Sequence, residues 1–197
     1  MMEIKKLTKQ HCKEIAKIHT VSFPGFFLTS LGEHFLYAFY KAIVRNKESV
    51  NIGLFENGEL IGFAIGSITN ESFYKKALSQ NFLELGFAAI IPLIKNPKNL
   101  KRLYNSLVSS NKKELDEINA GILLSICINP YHESKGNGKR LLNEFEKIVF
   151  KHQSATTLTT DKENNKYVND FYLRNGYVLK TEFMQGQRKM NLYIKHK

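Results

Sequence analysis

Gly136 and Gly138 stand between Lys135 and Lys139 in the stretch HESKGNGKRLL (132–142), directly ahead of an apolar pattern of helical spacing. Such a stretch suits a phosphate: glycine lets backbone N–H groups close on an anion, and the positive end of a helix dipole favours it. Two familiar nucleotide loops are excluded by spacing. A Walker loop would need glycine where Glu133 stands and a hydroxyl where Arg140 stands. A dinucleotide fingerprint would need glycine at Leu141. Other chemistries have little to work with. The six histidines show no HxH or HExxH spacing, and neither a CxxC pair nor a G-x-S-x-G element occurs, so no metal site is expected. Cys127 lies in an apolar run with no histidine near it in sequence, and it reads as a packed strand cysteine.

A loop of this kind needs a buried strand to deliver it and a helix to begin at it. AGILLSICI (120–128) is a continuous apolar run fit for a central strand, and Pro130 ends it. Leu141, Leu142, Phe145, Ile148 and Val149 then recur at helix spacing. Upstream, residues 3–7 read as a strand, and a helix follows with Cys12, Ile15, Ile18 and His19 on one stripe. After the Phe23-Pro24-Gly25 break, Thr29 or Ser30 is expected to cap a second helix with the stripe Leu31, Phe35, Leu36, Phe39 and Ile43. Asn57-Gly58 between two apolar runs predicts a hairpin. Residues 71–110 read as mainly helical, interrupted at Pro92 and Pro97. A strand over 155–160, a helix over 166–174 stopped by Gly176, and strands over 177–183 and 189–194 complete one mixed α/β domain over 1–197. Its helical insertion covers 71–119.

Strand, proline, glycine loop and helix together resemble the coenzyme A site of the GNAT superfamily of N-acetyltransferases. The matching stretch is Ile126-Cys127-Ile128-Asn129-Pro130, then Glu133-Ser134-Lys135-Gly136-Asn137-Gly138. The resemblance implies that the loop amides of Ser134, Lys135, Gly136, Asn137, Gly138 and Lys139 hold the pyrophosphate of acetyl-CoA. It also implies that Ile126, Cys127 and Ile128 pair with the pantetheine arm. A second landmark, Asn165-Lys-Tyr-Val168-Asn-Asp-Phe171-Tyr172-Leu-Arg-Asn-Gly176-Tyr177, is similar to the superfamily's N-x-x-A-x-x-F-Y-x-x-x-G-F signature. By that likeness Asn165 meets the pantetheine and Tyr172 is the general acid for the departing thiolate. The seven positions between them are almost two turns of about 3.6 residues, which would put both on one helix face. Val168 and Tyr177 depart from the pattern, as does Glu133, where Gln or Arg is common; Lys135, Lys139 and Arg140 can offset that carboxylate.

The fold so implied is a mostly antiparallel sheet flanked by helices, and the reaction is direct attack of a primary amine on the thioester. The amides of 126–128 are candidate donors to the developing oxyanion. Glu33, His34, Glu71 and His132 are conceivable bases, and the sequence does not choose among them. The net charge of +11 is scattered rather than striped, and no basic–aromatic alternation favours nucleic acid. The apolar run 85–94 is shorter than the roughly 20 residues a spanning helix needs, though peripheral membrane contact stays open. With no apolar leader-like run at MMEIKKLTKQ and two cysteines read as unpaired thiols, a cytoplasmic location is expected. A homodimer is compatible with the sequence.

For the acceptor, the stretch 23–43 loosely resembles acetyltransferases associated with bacterial surface-sugar synthesis, which ranks a small amine, an amino sugar in particular, above a peptide. Phe82, Leu83, Leu85, Phe87, Ile90 and Ile91 are then expected to pack on Phe35, Leu36 and Phe39, closing a pocket with Phe26 and Phe27 as one wall. The alternative is protein or peptide acetylation through an open groove.

Overall fold

The computed structural model describes residues 1–69, 73, 77, 79–96, 118–132 and 136–197. Strand β1 (Met2–Lys6) leads through a short 3-10 turn into α1 (Cys12–Ser22), a single turn α2 (Phe27–Ser30) and α3 (Gly32–Arg45). The hairpin β2 (Ser49–Glu56) and β3 (Glu59–Ser67) follows, then α4 (Phe82–Lys95) and β4 (Gly121–Ile128). The chain ends with α5 (Asn137–Val149), β5 (Ala155–Asp161), α6 (Lys166–Arg174), β6 (Val178–Gln185) and β7 (Arg188–His196). Asn57 and Gly58 both have positive φ, 51° and 90°, as a two-residue turn matched to strand twist requires.

One seven-stranded sheet has the order β1-β2-β3-β4-β5-β7-β6. All its pairs are antiparallel except β4–β5. That parallel pair is short: Gly121, Ile122 and Leu123 face Thr156, Thr157 and Leu158, and there the pairing ends. Beyond Leu123, β4 keeps β3 on its other side as far as Ile128. The β3–β4 register shifts between Ile65 and Gly66 and leaves Leu124 as the extra residue of a bulge. The bulge changes which side chains face which layer. Leu123, Ile126 and Ile128 join the cluster under α5, whereas Leu124 and Cys127 join the cluster under α1 and α3.

Those two clusters are the core. On one side Cys12, Ile15 and Ile18 of α1 and Leu36, Tyr40 and Ile43 of α3 pack on Phe63 and Ile65. On the other, Leu141, Leu142, Phe145 and Val149 of α5 pack on Ile52, Leu54, Ala64 and Leu158. The helix α5 lies close to the sheet because glycines sit beneath it. A Cβ at Gly66 would strike the Ile122 carbonyl and the Phe145 ring, and one at Gly121 would strike Val149.

The structure departs from the sequence reading in three places. Thr29 and Ser30 lie inside α2 and donate to the carbonyls of Phe23 and Phe27, so neither caps α3; its N-cap is Leu31. Pro92 sits within α4 rather than breaking it. It stands in the penultimate turn, where its missing N–H removes only one bond of the ladder. Lastly, Leu85 alone of the expected set packs on α3, joined by Ala88 and Ala89 against Leu31, Phe35, Ala38 and Ala42. Phe82, Leu83, Phe87, Ile90 and Ile91 point outward at 72%, 73%, 72%, 47% and 63% exposure, so that packing does not close a pocket. Glu71 and residues 97–117 of the insertion lie outside the described residues.

Gly66→Ala should lower stability by about 2 kcal/mol, since the backbone carbonyl and buried ring above it cannot both move aside. Gly86→Ala, at a helical site with nothing within 4 Å, should instead raise stability by up to ~1 kcal/mol. Urea titrations of both variants check the opposite signs.

Candidate active site

The strand β4 hands the chain to α5 through a turn built on Asn129. Its N–H donates to the Ile61 carbonyl at 2.7 Å, its carbonyl accepts from His132 N–H at 2.9 Å, and its side-chain oxygen accepts from Tyr131 N–H at 3.2 Å. Pro130 takes the second position of this turn, where its fixed φ is favourable. Gly136, with φ +83°, is the N-cap of α5 and its carbonyl accepts from Arg140 N–H at 3.0 Å. The N–H groups of Asn137, Gly138 and Lys139 therefore lead the helix without intrahelical acceptors. No acidic side chain lies in that first turn, and Lys139 and Arg140 are exposed on it. This end of α5 is chemically suited to an anion. The Asn137 side chain is buried, so any contact it makes to such an anion is through its backbone. Ser134 and Lys135, and with them Glu133, lie outside the described residues.

The open part of β4 is the second component. From Leu124 to Ile128 the strand has β3 on one side and no strand pairing to β5 on the other, and its burial falls from complete to partial. Tyr172 reaches this stretch from α6. Its ring packs against Phe171, Tyr177 and Tyr193 at centroid distances of 5.3, 5.6 and 6.2 Å. Burial pushes its phenol well above the ordinary value, and the neighbouring Cys127 adds to the shift, so the hydroxyl stays protonated. No hydrogen bond joins it to another described residue. Burial likewise pushes Cys127 up to about 12, which makes the thiol a poor nucleophile.

The position of α6 comes from Asn169, which the sequence reading passed over. Its amide donates to the carbonyls of Asp161 and Asn165 at 2.9 and 2.8 Å, and its oxygen accepts from Asn191 and the Tyr193 hydroxyl at 2.8 and 2.9 Å. One buried side chain so ties α6 to the end of β5 and to β7. Asn165 precedes the helix as its N-cap, with φ −133°, which removes the two-turn argument linking it to Tyr172. Its amide donates to Thr160 Oγ1 at 2.8 Å and to the Asp161 carbonyl at 3.1 Å. Phe171 brings α6 to the anion end of α5, its ring 3.9 Å from where a side chain at Gly138 would stand.

On the other face of β4, Ser125 ends a hydrogen-bonded series. Tyr40 donates to Ser125 Oγ at 3.4 Å, and the Tyr40 hydroxyl shares a 2.7 Å bond with His19 Nδ1. Tyr40 gave no sequence signal, since its position belongs to an apolar stripe; His19 on such a stripe was the only hint. Of the candidate bases, Glu33 and His34 are exposed on α3, and His132 lies 3.5 Å from Glu56 and 3.9 Å from Glu59. Phe26, on the turn between α1 and α2, has the guanidinium of Arg188 5.6 Å from its ring centre. Arg188 in turn forms a two-pronged ion pair with Asp161 at the end of β5. Phe27 instead packs between α3 and α4, so only Phe26 of that pair faces the hairpin of β6 and β7. Among the described residues no cluster of His, Cys, Asp or Glu could hold a metal, and no helix is long and apolar enough to cross a membrane.

Residues 12–177 match the model of the acetyltransferase (GNAT) family. The fold is similar to that of the PaiA N-acetyltransferase from Thermoplasma acidophilum in complex with coenzyme A, with TM-score 0.62 and 18% identity over 100% of this chain and 99% of that one. It is similar also to the ribosomal-protein-S18-alanine N-acetyltransferase from Escherichia coli (TM-score 0.61, 14% identity, 100% and 94% covered). PH1933 from Pyrococcus horikoshii OT3 is a further likeness (TM-score 0.65, 14% identity, 100% and 99% covered). At such identities the likeness is one of fold. No curated protein matches the sequence significantly.

Burial lowers His19 from 6.5 to about 4, so the folded chain takes up its proton less readily than the unfolded chain. The stability this group contributes is complete above pH 6.5 and is lost as pH falls toward 4, by roughly 3 kcal/mol in all. Denaturation titrations between pH 7 and 4.5 should show His19→Gln losing stability less steeply than wild type, by about 1.4 kcal/mol per pH unit.

Proposed function

As the chain belongs to the GNAT acetyltransferase family, whose members use acetyl-CoA, we propose that it acetylates the primary amine of a small molecule at the open edge of β4, with Tyr172 as general acid. The observation that carries this reading is the parting of β4 from β5 beside the buried Tyr172, whose hydroxyl has no hydrogen-bond partner among the described residues. Acetyl-CoA supplies the activated acetyl group. The N–H groups that begin α5, with Lys139 and Arg140, suit its pyrophosphate, and the glycine at 136 supplies the left-handed backbone this entry requires. The peptide edge of Leu124 to Ile128 suits the amides of the pantetheine arm and offers N–H groups where negative charge builds on the acetyl oxygen. The amine must attack as the neutral base, its lone pair forming the new C–N bond. As the C–S bond breaks, Tyr172 gives its proton to the sulfur, and the proton that the nitrogen sheds on becoming an amide balances the one the phenolate takes back.

A small acceptor is favoured by the contact between Phe26 and Arg188. It joins the α1–α2 turn to the β6–β7 hairpin, which leaves less room between them for an extended peptide. The Phe26 ring, 42% exposed, offers a flat apolar face for a sugar ring, and an amino sugar fits both it and the hydrogen-bonding groups nearby.

Gly138→Asp should abolish coenzyme A binding in calorimetry while leaving the fold intact. A carboxylate there repels pyrophosphate yet is favourable to the helix end. Unchanged binding would move the anion site elsewhere. Tyr172→Phe should bind coenzyme A as wild type does and turn over roughly 10²–10⁴-fold more slowly. Free-thiol release with acetyl-CoA, offered amino sugars and their nucleotide-linked forms against N-terminal and lysine peptides, identifies the acceptor class. Preference for peptides would overturn the small-amine reading.

A further inference from the structure

The exposed face of α4 is unusual for a chain alone in water. Phe82, Leu83, Phe87, Ile90, Ile91 and Ile94 all point outward, and together they leave roughly 700 Å² of apolar side chain in solvent, where the largest patch of a monomer is typically about 300–600 Å². The helix cannot roll to hide them. Its opposite face is committed to α3 through Leu85, Ala88 and Ala89. Its first turn is clamped as well: Glu84 accepts from Lys41 at 2.6 Å and from Arg45 at 3.2 Å, and Arg45 also reaches Asn81 at 3.2 Å. The two cations hold the Glu84 carboxyl below its usual range, so the clamp persists at mildly acidic pH. Two leucines and two alanines thus make the intramolecular contact, and six large apolar residues lie outside.

The outward residues have a particular spacing. Leu83, Phe87, Ile90 and Ile94 follow one another at four, three and four positions, the seam by which one helix packs its side chains into a second helix. Ile91 and Phe82 flank the seam, and Gly86 opens a hollow beside it with nothing within 4 Å. We propose that this face is the interface with a second copy of the chain, α4 against α4 across a two-fold axis. Three observations favour a second copy. The four-three-four spacing lets like helices interleave, as an α4-on-α4 contact requires. The six outward side chains, each 47–74% exposed, offer an apolar area of the same order as the about 800 Å² each partner contributes to a standard specific interface. The seam carries no charge, Glu84 being neutralised within its own protomer.

An anionic bilayer is the competing occupant, and salt separates the two. With +11 per protomer, self-association should tighten as salt screens the repulsion, whereas attraction to an anionic surface should weaken. Sedimentation of the full chain at micromolar concentration should show a dimer that strengthens from 50 to 500 mM NaCl. Phe87→Glu with Ile94→Glu should give a monomer with an unchanged urea midpoint at low concentration, because both side chains are already in water. A monomeric wild type, or a dimer that survives both substitutions, would overturn the proposal. So would wild-type binding to phosphatidylglycerol vesicles as a monomer that salt releases.

Discussion

On one side, β4 has a strand partner for only part of its length. Past Leu123 its backbone must satisfy itself against β3 alone, and an edge inside a sheet is costly unless something peptide-like can lie along it. Much of the fold serves to create and hold that edge. The bulge at Leu124 bends β4 and re-aims its side chains, while β5 carries on with β7 as its partner. The Asn129 turn then carries the chain from the open edge toward the start of α5. The Asn169 amide does for α6 what the Asn129 turn does for α5, fixing a helix to the end of a strand by bonds that leave no polar atom of that side chain unsatisfied.

The face of β4 away from α5 is polar in a different way. Ser125, Tyr40 and His19 form a hydrogen-bonded series of neutral groups, and Ser22 reaches the Ile128 carbonyl at 3.5 Å. Neutrality is enforced by burial, which makes the proton costly on His19. A cleft of about 540 Å³ between β1 and α5, lined by Lys5, Lys6, Arg140 and Lys147 among others, lies on the α5 side of the sheet. It lies against the outer strands of the sheet, where β4 makes no contribution to its walls.

Local signals were legible in the sequence because local chemistry dictates them. Asn57-Gly58 demanded its hairpin, the stop at Gly176 ended α6 where expected, and the glycines at 136 and 138 marked a helix entry. The order of such signals gave a mixed α/β domain, while the mostly antiparallel sheet and the acetyltransferase family came with the resemblance of its glycine loop and its 165–177 stretch. What stayed hidden depends on register and on distant partners. The bulge at Leu124 and the short β4–β5 pairing leave no mark in a run as uniform as AGILLSICI. Asn169 is an ordinary polar residue until its partners from β5 and β7 arrive. In α4 an apolar stripe was visible, but the helix is apolar all round, and periodicity alone could not say which side meets α3.

Burial of the two sulfurs has a practical corollary. Cys12 is pushed up to about 11 and Cys127 to about 12, and neither is in a disulfide. Thiolate is the species that reacts with disulfide dyes and alkylating agents. Of the two thiols Cys12 is closed off from such reagents in the native chain, whereas Cys127 lies on the partly buried stretch of β4 and is held back by its raised pKa alone. Colour developed in a mixture of enzyme and acetyl-CoA therefore reads released coenzyme A once the Cys127 background of the enzyme alone is subtracted. Cys12, fully buried beneath α1, becomes available only when that layer leaves the sheet, which makes its sulfur a clock for unfolding.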